Sequence, residues 1–227
     1  MSAPELGVLF DVDGTLVDTT YLHAVCWAEA LAANAHCVPM ADVHYAIGMG
    51  PQELLDHLLG PDRDKSGDEA MVAAHLQCFR QYWDRLRPLP GAADLLRACA
   101  GRGLQVVLAS SAAEDELSAV RSTLDADDAI SVATSSSDAD AAKPSPDILR
   151  VALDHSGLTA ENVVFVGDAV WDGEAAGKAG IPFLGLTCGG TPAHQLREAG
   201  ALEVWRDPAQ LLTLFEESAL GRLRSAR

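Results

Sequence analysis

The sequence predicts an α/β fold in which a doubly wound parallel sheet carries helices on both faces. Three observations predict it: short apolar runs recur along the chain, each run ends in small polar or acidic residues, and segments with helical periodicity lie between the runs. The apolar runs are residues 7–10, 104–109 and 163–166. Strands that alternate with helices need right-handed crossovers, so they are parallel and their polar ends meet at one edge of the sheet.

Helical patterns separate these three strands. They cover residues 92–100, 114–124 and 146–155. Pro146 at the start and Gly157 beyond the end of the last segment are typical of helix boundaries. The alternation is the one that βαβ units require.

Residues 17–86 have helical periodicity throughout and form an insertion after the first strand. The predicted helices of the insertion cover residues 22–34, 52–59 and 68–83. The prolines and glycine of residues 87–91 are typical of a stiff linker. We therefore expect a core of residues 1–16 and 87–227 and a helical cap of residues 17–86.

Acidic side chains outnumber basic ones by 33 to 16 in this chain of 227 residues, which gives a formal net charge of −17. Such a surface repels phosphodiester backbones and anionic lipids, so neither a nucleic acid nor a membrane is an expected partner. No apolar run approaches the roughly 18 residues of a membrane span, and the amino terminus lacks a secretory signal pattern, so a cytoplasmic location is expected. The odd number and wide spacing of the five cysteines predict free thiols.

Four aspartates follow the ends of two predicted strands. Asp11 and Asp13 come after the first strand, and Asp168 and Asp172 come after the third. Carboxylates that converge repel one another unless a cation neutralises them. Mg²⁺ suits this setting best, because it prefers oxygen ligands and keeps positions for water and phosphate. The sequence therefore predicts Mg²⁺ as the cofactor.

A lysine and two serines complete the expected site. Lys143 lies in a loop that Pro144 and Pro146 restrain. Ser110 and Ser111 directly follow the second strand, where hydroxyl and backbone N–H groups can bind an anion, although either serine could instead cap the next helix. Together these groups predict a phosphate-binding site.

The sequence of residues 10–19, FDVDGTLVDT, resembles the first signature of the haloacid dehalogenase superfamily, whose members are mostly magnesium-dependent phosphohydrolases. The second signature is similar to residues 108–110, the third to Lys143 with Pro144, and the fourth to residues 167–172, all in the family's order. The resemblance covers about residues 6–205. It implies a Rossmann-like core with an α-helical cap of the first type, as in phosphoglycolate phosphatases and β-phosphoglucomutases.

The resemblance also implies a role for each motif residue. Asp11 becomes the nucleophile that forms an aspartyl-phosphate, and Asp13 becomes the general acid and base, a role that a raised pKa favours. Ser110 and Lys143 would hold the phosphoryl oxygens as charge spreads over them.

The same resemblance implies a set of ligands for Mg²⁺. Asp11, the carbonyl oxygen of Asp13, and Asp168 are the expected ligands. Asp172 is expected to position Lys143 or a metal-bound water, and its direct contact with the metal is left open.

Further substrate contacts are expected from Gly14 and Ser111 in the core and from His23 in the cap. His23 and Trp27 stand four residues apart and so share one helix face. Relatives often place the histidine toward the active site, whereas packing in the cap core is the expected role of Trp27. A histidine bonded inside the protein is an equal alternative for His23. The loop of residues 48–52 resembles a substrate-facing cap loop of unassigned specificity.

Mg²⁺-dependent hydrolysis of a small phosphorylated metabolite is the leading function, in a monomer or weak dimer. A phosphomutase of the β-phosphoglucomutase type is the alternative, which the lack of an arginine in residues 48–52 disfavours. Dehalogenation is disfavoured by the presence of Asp13. Phosphonate hydrolysis needs a cap lysine that forms a Schiff base, whereas Lys65 lies in a segment typical of an exposed turn. A non-catalytic phosphate-binding protein is disfavoured because Asp11 and Asp13 are both present.

Overall fold

A computed structural model of the chain describes residues 5–223, in which six parallel strands form one sheet. The strands are β1 (Gly7–Phe10), β2 (Gln105–Ala109), β3 (Val132–Thr134), β4 (Val163–Gly167), β5 (Phe183–Leu186) and β6 (Ala201–Trp205). Their order across the sheet is β3-β2-β1-β4-β5-β6. This order reverses beside β1, which is where doubly wound sheets bind their ligands. The predicted fold class is confirmed.

Helices cover both faces of the sheet and form the insertion after β1. They are α1 (Thr20–Ala33), α2 (Met40–Ala46), α3 (Pro51–Leu59), α4 (Asp68–Arg80), α5 (Ala92–Gly101), α6 (Glu114–Leu124), α7 (Asp147–Ser156), α8 (Val170–Ala179), α9 (Ala193–Glu198), α10 (Pro208–Thr213) and α11 (Ala219–Arg222). No helix within residues 5–223 has the length and hydropathy that crossing a membrane requires.

The three predicted strands match β1, β2 and β4 to within one residue, whereas β3, β5 and β6 were not predicted. Strands β3 and β6 lie at the two edges of the sheet, and Gly185 interrupts the apolar run of β5. Leu202 of β6 is largely exposed, so this strand lacks the continuous apolar run of a buried one. Helix α2, seven residues long, was also missed because two turns give little periodicity.

Alternating side chains of β1 face the two layers of the core. Val8 and Phe10 pack with α5, α6 and α10, while Leu9 packs with α7, α8 and α9. All three side chains are fully buried, as expected for a parallel sheet that is covered on both faces. The polar ends of β1 and β4 are thereby held side by side at one edge.

Helices α1 to α4, here called the cap, surround a small apolar core of their own, which includes Trp27, Leu31 and Leu54. The two connections between the cap and the sheet run side by side, since the Asp18 amide donates to Arg87 O at 3.1 Å. The cap is thus joined to the sheet through two adjacent segments of the chain.

A disulfide bond between Cys26 and Cys78 joins α1 to α4, with 5.4 Å between the Cα atoms. The prediction of free thiols is therefore wrong for this pair. The two cysteines are 52 residues apart in the chain, and packing of α1 against α4 brings them together. Cys37, Cys99 and Cys188 are free, as predicted.

Candidate active site

Three buried aspartates meet at the carboxyl ends of β1 and β4. Asp11 directly follows β1, Asp168 directly follows β4, and Asp172 lies in the first turn of α8. One carboxylate oxygen from each lies within 4.8 Å of the others. We call these residues the acidic triad. The carboxylate of Asp13, predicted to converge with them, is not part of this group.

Lys143 reaches the acidic triad from the loop that precedes α7. Its Nζ donates to Asp11 Oδ1 and, at 2.8 Å, to Asp172 Oδ1. Its side chain is only 1% exposed. Burial opposes a charged lysine, but the two carboxylates outweigh it and raise the pKa of Lys143. One ammonium group is therefore shared by two of the three carboxylates.

Both oxygens of Asp172 already have partners. Oδ1 accepts from Lys143, and Oδ2 accepts from the backbone N–H groups of Asp168 and Ala169 at 3.1 and 3.0 Å. Asp172 thus fixes the turn that follows β4 and the position of the lysine. This arrangement suits the positioning role expected for Asp172 better than the role of a direct metal ligand.

Thr15 and Gly14 hold Asp168 in place. Thr15 Oγ1 donates to Asp168 Oδ1 at 2.7 Å, and Asp11 Oδ2 lies 3.3 Å from the same hydroxyl. Gly14 has φ +76°, and a Cβ there would lie 2.5 Å from Asp168 Oδ2, so only glycine fits. The Gly14 amide donates to Val17 O at 2.8 Å, so Gly14 shapes the turn that follows β1.

The electrostatics of the acidic triad favour a divalent cation. Burial raises the pKa of Asp11 to about 7, and the neighbouring Asp172 adds to this effect while Lys143 opposes it. Burial also raises the pKa of Asp168 well above its usual range, with Asp11 and Asp172 adding to the effect. Three carboxylates against one ammonium leave negative charge that a hard cation would neutralise. The residues present therefore fit Mg²⁺.

Asp13 turns toward the cap. Its Oδ1 accepts from Thr19 Oγ1 at 2.7 Å and lies 3.3 Å from His23 Nε2. Burial opposes ionisation of Asp13, but the bonds and charge of His23, together with Thr19, outweigh it and hold the pKa below its usual value. The expectation of a raised pKa at Asp13 is thus wrong, because the cap supplies a partner that stabilises the carboxylate.

His23 links Asp13 to two residues that the sequence did not single out. Its Nδ1 lies 3.0 Å from His75 Nε2, and its Nε2 lies 3.4 Å from Glu116 Oε1. Burial lowers the pKa of His23, but Asp13 and Glu116 outweigh it, so the pKa is raised. Burial, with His23 beside it, holds the pKa of His75 well below its usual value. His23 therefore both faces the cavity and is bonded internally.

Nothing local in the sequence marks His75 or Glu116. His75 meets His23 across α1 and α4, 52 residues away, and Glu116 stands in a run of three acids at the start of α6 that reads as a solvated first turn. Glu116 is instead buried, and burial raises its pKa to about 7. Knowledge of the cap position was needed to find both.

A cavity of about 230 Å³ lies between the acidic triad and the cap. Asp11, Asp13 and Lys143 line its floor, and Ser111 lines its side. Within residues 5–223 the Ser111 hydroxyl is buried without a hydrogen-bond partner. Ser110 Oγ accepts from the Ala112 amide at 3.1 Å and is not among the lining residues, so the structure places Ser111, not Ser110, on the cavity surface.

The loop of residues 48–52 holds the cap against the core. The Gly50 amide donates to Lys143 O at 3.3 Å. Nearby, Trp171 Nε1 donates to Tyr45 O at 2.8 Å. These bonds connect the cap directly to the loop that carries Lys143 and to the first turn of α8, which follows Asp168.

Comparison with solved structures supports the same architecture. A hydrolase from Pseudomonas syringae is 31% identical, with a TM-score of 0.88 over 94% of this chain and 99% of that one. β-Phosphoglucomutase from Clostridium difficile has the same fold at 18% identity, with a TM-score of 0.81 over 96% and 98% of the two chains.

Comparison of sequences leads to the family. Phosphoglycolate phosphatase from Rhodospirillum rubrum is 30% identical over 214 residues, which are 90% of this chain and 88% of the relative. The family model described as haloacid dehalogenase-like hydrolase matches residues 6–180. These matches confirm that the chain is an enzyme of the hydrolase class with phosphatases among its relatives. The chain belongs to the haloacid dehalogenase-like hydrolase family.

Proposed function

We propose that this enzyme hydrolyses small phosphomonoesters through an aspartyl-phosphate, an acyl phosphate formed on Asp11. One observation carries the proposal: the Asp11 carboxylate lines a cavity between the sheet edge and the cap, bonded to a buried lysine and beside two further carboxylates. A carboxylate held in this way can attack phosphorus while a cationic group receives the charge of the phosphoryl oxygens.

The reaction consists of two displacements at phosphorus. In the first, an oxygen of Asp11 forms a bond to phosphorus, the bond to the leaving oxygen breaks, and Asp13 gives that oxygen a proton. In the second, water gives a proton to Asp13 as its oxygen bonds to phosphorus, and the bond to Asp11 breaks. The sum is one ester and one water converted to one alcohol and inorganic phosphate.

Asp13 is positioned for proton transfer by the cap and by Thr19. The Thr19 hydroxyl and His23 Nε2 both bond Oδ1 of Asp13, which leaves its other oxygen free of these two bonds. Because the pKa of Asp13 is lowered and that of His23 is raised, His23 would supply a proton through Oδ1 as the other oxygen of Asp13 protonates the leaving oxygen. Because His23 belongs to α1, this proton relay is complete only when the cap is closed.

Mg²⁺ would be held by Asp11 and Asp168, with the Asp13 carbonyl oxygen as the third protein ligand expected from the family. When bound, it would neutralise the acidic triad and the phosphate oxygens. Lys143 would orient Asp11 and bind the phosphoryl group, and the unpartnered hydroxyl of Ser111 would bind a phosphoryl oxygen. Asp172 would position Lys143.

We also propose that residues 1–16 and 87–227 act as the catalytic core and that residues 17–86 act as a lid. A closed lid excludes water from the cavity during the first displacement. The hydrogen bond from Trp171 Nε1 to Tyr45 O supports these two roles, because it joins the cap to the turn that carries Asp168.

Phosphate release from a panel of phosphorylated metabolites, measured with and without Mg²⁺, tests the proposed function. The expected result is Mg²⁺-dependent release by the wild-type protein and by Asp18→Asn, whose exposed carboxylate lies outside the acidic triad. Asp11→Asn is expected to release none. Release by Asp11→Asn at a rate near the wild type would overturn the assignment of Asp11.

A further inference from the structure

We propose that the substrate is a phosphomonoester of an uncharged, largely apolar alcohol, and that Glu116 selects against esters with a second anionic group. The inference rests on the proposed function, because it concerns the part of the same cavity that lies beyond the reacting phosphate. Two independent features of that part carry it: an apolar wall and an excess of negative charge.

The wall that faces the acidic triad is built from apolar cap side chains. Trp27 of α1, Leu54 of α3 and both Val72 and Leu76 of α4 line it, with Met49 from the cap loop. These side chains offer no hydrogen-bond donor for a carboxylate or a second phosphate except the Trp27 indole. Apolar atoms of a leaving group would be removed from water against this wall, which favours their binding.

The charged groups of the cavity are unfavourable to a second anion. Among the described residues that line it, Lys143 is the one lysine or arginine, and Asp11 and Asp172 already share its ammonium. The carboxylates of Glu116 and Asp13 face the same space. Both carboxylates contact His23 Nε2. Above about pH 7, where Glu116 is ionised, the three groups together carry net negative charge even when the imidazole is protonated.

A buried anion needs a cation or several donors. Among the described residues that line the cavity, no lysine or arginine accompanies Lys143, and the unpartnered Nδ1 of His75 belongs to an imidazole whose pKa burial holds well below its usual value. Phosphoglycolate carries a carboxylate beside its phosphate, so its binding would bring that carboxylate near Glu116. The bisphosphorylated sugar that a phosphomutase forms would meet the same obstacle. The cavity therefore differs in specificity from what the names of the relatives suggest.

Matched esters test the substrate class directly. The specificity constant kcat/KM of the wild-type enzyme is measured with Mg²⁺ for phosphoglycolate, for the phosphate ester of glycolamide, and for unbranched alkyl phosphates of two to six carbons. The amide ester has nearly the same size as phosphoglycolate but lacks its carboxylate. We expect it to be preferred about ten-fold or more, because like charges repel in a buried site. We expect kcat/KM to rise about three-fold for each added methylene group.

Variants at two glutamates of α6 test the role of Glu116. In Glu116→Gln, the ratio of kcat/KM for the amide ester to that for phosphoglycolate should fall toward one. In the control Glu114→Gln, which removes an exposed carboxylate two residues away, the ratio should stay at its wild-type value. The ratio is the informative quantity, since a disturbance of Asp13 through His23 slows both esters together.

The outcomes distinguish failure of the proposed phosphatase function from failure of the inference about its substrate class. Turnover of none of the esters by a folded protein overturns the proposed function and the inference with it. Turnover in which phosphoglycolate exceeds the amide ester overturns the inference while the phosphatase function stands. A ratio that Glu116→Gln leaves unchanged overturns the role of Glu116, and an alkyl series without a rise overturns the role of the apolar wall.

Discussion

The two sides of the cavity are held together by different interactions. We call the side formed by the sheet edge the floor and the side formed by the cap the roof. On the floor, the carboxylates of Asp11, Asp168 and Asp172 and the ammonium of Lys143 are held by one another and by backbone groups at the ends of two strands. On the roof, helices present apolar side chains and one histidine pair. In the proposed function, this contrast assigns the chemistry to the sheet edge and the choice of alcohol to the cap.

The largest expected effect is the loss of activity when the proposed nucleophile on the floor, Asp11, is replaced. Asp11→Asn should lower kcat by about 10⁴-fold or more, because no other group on the floor can attack phosphorus in its place. Its thermal stability should stay level or rise, since one of three mutually repelling carboxylates is neutralised. Steady-state kinetics and thermal denaturation check both parts. A large loss of stability would show that the ion pair with Lys143 outweighs the repulsion.

The second effect tests how strongly the floor depends on its buried cation. Lys143→Met should lower the free energy of unfolding by about 3–5 kcal/mol, because it leaves buried carboxylates without their cation. The control Lys178→Met removes a half-exposed lysine that bonds Pro144 O and should change stability little. Urea denaturation without Mg²⁺ measures the difference. Equal stability of the two variants would contradict the buried ion pair.

The third effect concerns the cap alone. Reduction of the bond between Cys26 and Cys78 should destabilise the cap by about 2–4 kcal/mol, since it removes a cross-link between two helices. Hydrogen exchange should become faster in α1 and α4 and stay unchanged in β1 and β4. Thiol titration of the unfolded, unreduced chain should find three thiols. A count of five would show that the cysteines are free.

The smallest effect lies at the contact between the two regions. Trp171→Phe keeps an aromatic ring beside Tyr45 but loses the indole bond to Tyr45 O, which is worth about 1 kcal/mol. The KM should rise about five-fold with kcat little changed, as expected if the bond favours cap closure. Trp205→Phe is the control, because its indole bonds Glu203 within β6. Equal kinetic constants in the two variants would show that the bond from Trp171 to Tyr45 O does not favour closure of the cap.

Much of the floor was readable from the sequence because its residues stand at fixed positions beside buried strands. The apolar runs predicted β1, β2 and β4, and the motif around Asp11 and Asp168 located the acidic triad. Strands β3 and β6 were missed because short or half-exposed strands give too little pattern, and β5 because Gly185 interrupts its apolar run. Both Ser110 and Ser111 were predicted to bind phosphate, and which of the two lines the cavity depends on side-chain direction, which the sequence pattern does not fix.

By itself, the sequence determined the fold class, the family and the residues that end the central strands, because each of these depends on local patterns along the chain. Only the tertiary structure decided that His75 and Glu116 meet His23, that the acidic triad shares one lysine, and that apolar cap residues close the cavity. These contacts join α1, α4 and α6, which are far apart in the chain. Such contacts are set by the packing of whole elements, which leaves no mark in any single stretch of residues.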